Sequence, residues 1–195
     1  APDPAPDAPP DPSPDAAADR VVHLDVAGGV ATITLDSQHN RNALSRRLLA
    51  ELHAALDEIA ARPLTEVRAI VLTHRGPAFC AGADLKERAA AGSTPDDSSP
   101  FTRALERLMD APQPTIAAVD GAVRAGGIGL MAACDLVVVH ETTSFALTEV
   151  RIGVAPAIIS VPILRRVPAS RIAAAMLTGE PFDATEARAI GLVTH

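Results

Sequence analysis

Residues 115–139, TIAAVDGAVRAGGIGLMAACDLVVV, decide the fold. Thr115 to Val119 and Leu136 to Val139 are short apolar runs rich in β-branched residues, and both read as buried strands. Between them Gly121 and then Gly126-Gly127-Ile128-Gly129 break the strand, and the small apolar residues that follow carry a helix to Cys134-Asp135. The order strand, loop, helix, strand requires a crossover connection, which makes the two strands parallel and the fold class α/β. The same construction stands earlier. Ala69-Ile70-Val71-Leu72 is a buried strand that runs into Phe79-Cys80-Ala81-Gly82-Ala83-Asp84-Leu85, where small residues again give way to a helix. A helix start leaves peptide N–H groups unpaired and pointing at whatever lies ahead of it. Two such donors converging on one carbonyl oxygen make an oxyanion hole.

Outward from these two stretches, Val21 to Val26 and Val30 to Leu35 alternate apolar and polar residues around Gly28-Gly29, the pattern of a tight hairpin. Leu49, Leu52, Leu56 and Ile59 recur at helical spacing, with Ser45 as the cap and Pro63 beyond the end. Gly92 to Pro100 is rich in Ser, Asp and Pro and reads as a flexible loop able to close over a ligand. Helices are expected at Ile158 to Arg166, Ser170 to Leu177 and Ala184 to Ala189, and one more strand at Ile190 to Val193.

Composition excludes several function classes. The chain has 195 residues and is 48% apolar, enough for one domain with a sizeable core. Aromatic residues make up 2%, with no Trp or Tyr, so no platform exists for stacking nucleic-acid bases. Net charge is −7, but five aspartates and no basic residue fall in Ala1 to Asp19, so the rest is nearly neutral. That first segment also holds seven of the 17 prolines and reads as a disordered, partly polyproline-like tail, leaving residues 20–195 as the domain. It has neither the basic start and apolar run of a secretory signal nor the basic character of a transit peptide. No apolar run is long enough to span a bilayer, and with Cys80 and Cys134 read as buried core thiols, a reducing, cytoplasmic setting is expected.

Taken together, the two glycine-bearing stretches resemble those of the crotonase (enoyl-CoA hydratase/isomerase) superfamily, and the resemblance runs from about Val21 to the C-terminus. It implies a spiral of ββα units with a parallel sheet and crossover helices, and an acyl-CoA thioester substrate whose enolate is held by two backbone amides. By motif position those amides are the N–H groups of Ala83 and Gly126. The resemblance places Ala83, Asp84, Leu85, Lys86 and Gly126, with Arg41 and Ala43 of Asn40-Arg41-Asn42-Ala43-Leu44, along the thioester and CoA path. Lys86 is the only lysine and, with Arg88 and Arg41, offers positive charge to the CoA phosphates; the competing reading is solvated surface charge. Family members usually continue for a further helical segment, so the C-terminal helices are expected to be missing. A homo-oligomer, trimer or hexamer, is implied. No cofactor is expected beyond the CoA of the substrate itself, and neither a nucleic acid nor a membrane is an expected partner.

Proton transfer separates the possible reactions. Family hydratases use two glutamates, one three residues after the oxyanion glycine and one at the start of a later helix. The first position here is Gly129, which carries no proton; the second matches Glu149 in Phe145-Ala146-Leu147-Thr148-Glu149-Val150-Arg151-Ile152-Gly153. In that apolar stretch desolvation raises a carboxyl into a useful acid/base range. The competing reading makes Glu149 a helix N-terminal charge or a partner for Arg151. The glycine spacing around Gly126 does not fit a dinucleotide fingerprint, no P-loop lysine follows, and no Gly-x-Ser-x-Gly elbow is present. The six histidines, His23, His39, His53, His74, His140 and His195, show no metal-ligand spacing, so no metal is expected. The expected activity is enoyl-CoA hydration, with an enoyl-CoA isomerase using Glu149 alone, or a non-catalytic acyl-CoA-binding subunit, as alternatives.

Overall fold

The structure, a computed structural model, describes residues 20–91 and 99–195. Strands β1 (Val22–Ala27) and β2 (Val30–Leu35) pair antiparallel across the glycine turn, with Val22 opposite Leu35. Alternation sends Ala31, Ile33 and Leu35 fully into the core. Helix α1 (Arg46–Ala60) follows; the Ser45 hydroxyl accepts the Leu48 N–H at 3.1 Å, and Leu48, Leu49, Leu52, Ala55, Leu56 and Ile59 are buried. Strands β3 (Ala69–His74), β5 (Thr115–Val119) and β7 (Leu136–Val139) then add in parallel, giving one sheet in the order β1-β2-β3-β5-β7.

A second, smaller sheet carries the glycine-bearing stretches. Its strands β4 (Ala78–Cys80), β6 (Ala122–Arg124) and β8 (Ser144–Ala146) are parallel to one another, and β9 (Phe182–Asp183) closes it antiparallel to β8. Strands β3, β5 and β7 of the first sheet each feed a short strand of the second, β4, β6 and β8, across a corner. The short strands then enter α2 (Leu85–Ala91), α4 (Gly126–Ala132) and a 3-10 turn at Thr148–Ile152. Two strands and a helical element repeat, which is the expected spiral of ββα units.

Reading Ala69–Leu72 straight into the first motif misses one corner. The chain bends at Gly76, which has φ +82°, and passes Pro77 before β4 begins in the other sheet. Three-residue strands are too short to show a period. The corners pack tightly: a Cβ at Gly121, where φ is +124°, would stand 2.5 Å from the Pro77 carbonyl oxygen, so only glycine fits.

Helix α3 (Ser99–Met109) takes in Ser99 and Pro100, which the sequence reading gave to the loop; a proline in the first helical turn loses no intrahelical bond, and Ala104, Leu105 and Leu108 are buried beneath it. Helices α5 (Ala157–Leu164), α6 (Ala169–Thr178) and α7 (Ala184–Ile190) match the expected ones. The strand expected at Ile190 to Val193 is absent. Helix α7 runs to Ile190 and stops on Gly191 at φ +90°, and the apolar run is a buried plug of Leu192 and Val193. Beyond it, the Thr194 and His195 N–H groups donate to the Val137 carbonyl at 2.8 and 3.1 Å, along the edge of β7. The tail Ala1 to Asp19 and residues 92–98 lie outside the described residues. Among the described residues no helix is long and apolar enough to cross a membrane.

Candidate active site

Parallel register brings three chain exits to one end of the small sheet. Cys80 pairs with Val123 and Arg124 with Ala146, so β4, β6 and β8 all finish together. From that end the chain leaves as 81–84, as 125–126 and as 147–149. Ligands of parallel sheets gather at the C-terminal ends of strands for this reason.

In the first exit the Ala81 and Gly82 N–H groups are both engaged. The Ala81 N–H donates to the Arg41 carbonyl at 3.1 Å, the Gly82 N–H to the Cys80 Sγ at 3.4 Å, and the Gly82 carbonyl accepts the Leu44 N–H at 2.8 Å. The Ala83 N–H has no acceptor among the described residues. In the second exit Ala125 adopts φ +47° and ψ −117°, a conformation costly for any residue with a side chain. Its N–H donates to the Ala146 carbonyl at 2.9 Å, tying this exit to the third. Gly126 then opens α4, and its N–H has neither an intrahelical acceptor nor another among the described residues. The two exits touch. A Cβ at Gly82 would stand 2.9 Å from the Ala125 Cβ and 3.6 Å from the Gly126 nitrogen.

The third exit carries Glu149, half-buried in the 3-10 turn that Gly153 closes at φ +70°. Its Oε2 is buried with no hydrogen-bond partner among the described residues. Burial pushes the carboxyl above its ordinary range, opposed only by the residue's own N–H. Arg151 does not pair with it; the guanidinium lies over Gly179 at the end of α6, its Nε 3.1 Å from where a Cβ would stand. The same end of the small sheet thus carries an unpaired, desolvated carboxyl on one exit and an unpaired amide on each of the other two.

Gly129 is not an open position. A Cβ there would stand 2.7 Å from the Ile159 Cβ and closer still to its Cγ2, because α4 and α5 cross at this glycine. Neighbouring glycines are equally committed: a Cβ at Gly127 would meet the Cys80 Cβ at 2.7 Å, and one at Gly126 the Leu44 Cδ1 at 2.6 Å and the Phe101 Cζ at 3.4 Å.

The residues expected along the CoA path divide. Asp84 is occupied as a helix cap: its Oδ1 accepts the Lys86 and Glu87 N–H groups at 3.1 and 3.2 Å, and its Oδ2 accepts from Asn40 at 3.0 Å. Burial opposes its charge, but these donors hold the carboxyl below the usual range. Leu85, Lys86 and Arg41 are exposed on the outer side of the exits, whereas Ala43 is buried. The Arg88 side chain lies outside the described residues. The residue that shapes the 40–44 turn was quoted in the sequence motif without that role. Asn42, fully buried at φ +55°, accepts the Ser37 N–H at 2.6 Å and donates to the Arg75 and Ala78 carbonyls at 3.1 and 2.8 Å. Its tolerance of the left-handed region was the available signal. Ile159 and Phe101 gave none, since isolated apolar residues read only as core. A cleft between α1 and α3, lined by Leu56, Ile59, Leu64, Glu106 and Gln113, holds none of the candidate residues. Among the described residues no three His, Cys, Asp or Glu side chains converge as metal ligands.

The profile of enoyl-CoA hydratase/isomerase matches residues 25–195. The chain belongs to this family, within the crotonase superfamily. Among solved structures it resembles an enoyl-CoA hydratase from Mycobacterium avium, 45% identical with a TM-score of 0.79, covering 90% of this chain and 69% of that one. An enoyl-CoA hydratase from Mycobacterium smegmatis is 34% identical with a TM-score of 0.84 over the same shares, 90% and 69%. The mitochondrial methylglutaconyl-CoA hydratase of Mus musculus is 33% identical over 183 residues. That match covers 90% of this chain but 57% of the mouse protein, so the chain spans little more than half the length of that relative.

Proposed function

We propose that this chain binds an enoyl-CoA thioester at the shared end of β4, β6 and β8 and moves one proton with Glu149. The Ala83 and Gly126 N–H groups are the two donors to the thioester oxygen. Arg41, Ala43, Leu85 and Lys86 lie along the CoA side, with Lys86 and Arg41 meeting phosphate charge. The observation that carries the reading is the buried, unpartnered Glu149 Oε2 on the exit bound through Ala125 and Ala146 to the loop of Gly126.

Double-bond migration is the reaction this geometry supports best. The Glu149 carboxylate takes a proton from C2 of a 3-enoyl thioester, and the electron pair moves onto the carbonyl oxygen, where the two amides hold it. The same carboxyl, now protonated, returns the proton to C4 as the double bond forms between C2 and C3. One carboxyl is enough, and it is regenerated. Two hydrogen-bond donors facing the oxyanion are the larger contribution, on the order of 10²–10³ in rate for each.

Water addition to a 2-enoyl thioester is the second reading, favoured by the names of the relatives. There Glu149 takes the proton from water and supplies one to C2 without a second carboxyl at 129. Supplying 3-enoyl-CoA and 2-enoyl-CoA separately decides between them. Migration without hydration supports the first, hydration supports the second, and no turnover of either leaves an acyl-CoA-binding subunit.

A further inference from the structure

Cys80 stands between the two donor loops and touches both. Its side chain is fully buried at the end of β4. The Sγ accepts the Gly82 N–H at 3.4 Å, and its Cβ and carbonyl oxygen abut Gly127, being 2.7 and 2.8 Å from where a Cβ on that residue would stand. Nothing else among the described residues accepts the Gly82 N–H. Three consecutive amides, of Ala81, Gly82 and Ala83, face this loop; the first is taken by the Arg41 carbonyl and the second by the thiol. The third is left over.

We infer that Cys80 is a positioning residue of the oxyanion hole: its sulfur retains the Gly82 N–H so that the Ala83 N–H alone faces the thioester, and its Cβ sets how closely the Gly126-Gly127 loop approaches. The inference deepens the reading above and rests on it. The thiol acts as an acceptor and a spacer, with no covalent step; burial pushes its pKa up to about 12, so it stays protonated and is a poor nucleophile. A neutral thiol is a weak acceptor, but a buried N–H with no acceptor is costly, which favours the observed loop over one with the Gly82 amide turned inward.

The test compares wild type with Cys80→Ser, which keeps an acceptor of similar size, and Cys80→Ala, which removes it. Wild type should show slow hydrogen exchange at the Gly82 amide and fast exchange at Ala83, and Cys80→Ala should release Gly82. Misaligning one donor should cost roughly 10-fold to 100-fold in kcat, at or below the ~10²–10³ for losing one outright, with binding of an unreactive saturated acyl-CoA unchanged. The infrared carbonyl stretch of the bound thioester should shift back towards its solution value in Cys80→Ala and remain low in Cys80→Ser. An active wild type with Cys80→Ala matching it in kcat and carbonyl stretch overturns this inference alone. A wild type that turns over no enoyl-CoA overturns the oxyanion reading and this inference with it. Should Cys80→Ala not fold, equally fast exchange at Gly82 and Ala83 in wild type is the overturning result.

Discussion

Putting a side chain at Gly129 tests how the family's first acid/base position is filled in this chain. A Cβ at 129 would stand 2.7 Å from the Ile159 Cβ and 3.3 Å from its Cα, so the obstruction includes the α5 backbone as well as a side-chain tip. Relief requires α5 to move, and overpacking of this kind costs ~1–3 kcal/mol. Replacing glycine by alanine inside a helix returns ~0.5–1 kcal/mol. Gly129→Ala should therefore destabilise by about 0.5–2 kcal/mol, a fall in Tm of roughly 1–8 °C for a chain of this size. Gly129→Glu adds a carboxylate in an apolar crossing and should be worse, with no gain in water addition. Ile159→Ala alone should cost ~2–5 kcal/mol through the cavity it leaves. Combined with Gly129→Ala it should cost less than the sum, since the new methyl enters the space vacated. Urea denaturation of the two single variants and the double measures this coupling, expected at about 1–2 kcal/mol. A Gly129→Ala protein as stable as wild type, or strict additivity, would refute the close α4–α5 crossing.

Glu149 makes folding pH-dependent in a stated direction. Its carboxyl is raised in the fold, so the folded chain holds the proton more tightly, and the stability contributed is present at low pH and lost as pH rises from the ordinary value of 4.5 through the raised one. Glu149→Gln should remove that part of the slope, and the acid limb of wild-type kcat/KM should lie above 4.5; a limb at or below 4.5 contradicts the desolvation. Asn42→Ala strands the buried Ser37 N–H and Ala78 carbonyl, with the part-buried Arg75 carbonyl, and should cost about 2–3 kcal/mol by chemical denaturation. Ala125→Gly should be neutral or stabilising by up to ~1 kcal/mol, against the usual loss of similar size, because φ +47° with ψ −117° suits glycine. A loss of 1 kcal/mol or more there would show the backbone to be unstrained.

What the sequence made legible follows from element length and from the type of interaction. The α1 helix and the β1–β2 hairpin announced themselves by period, the parallel strands of the first sheet by short apolar runs, and Ser45 by its capping chemistry. Strands β4, β6 and β8 are three residues each, shorter than one readable period, so the second sheet and its corners were hidden. Helix α3 was hidden by the Ser-Pro at its start, and the Leu192-Val193 plug imitated a strand because burial alone produces the same apolar run. At the site, the two stretches with unpaired amides were legible because their small residues mark where a strand gives way to a helix. The close crossing at Gly129 was not, because it depends on Ile159, thirty residues away in sequence, and a glycine looks the same whether the space beside it is open or filled.

The most direct test of the account is Glu149→Gln, assayed with 2-enoyl-CoA and 3-enoyl-CoA beside the wild type. The substitution keeps the size and the turn but removes the exchangeable proton. Positioned acid–base groups contribute ~10²–10⁴ in rate, so turnover of whichever substrate the wild type accepts should fall by that factor while thioester binding persists. Full activity of Glu149→Gln on every substrate the wild type turns over would contradict the account and place the base elsewhere.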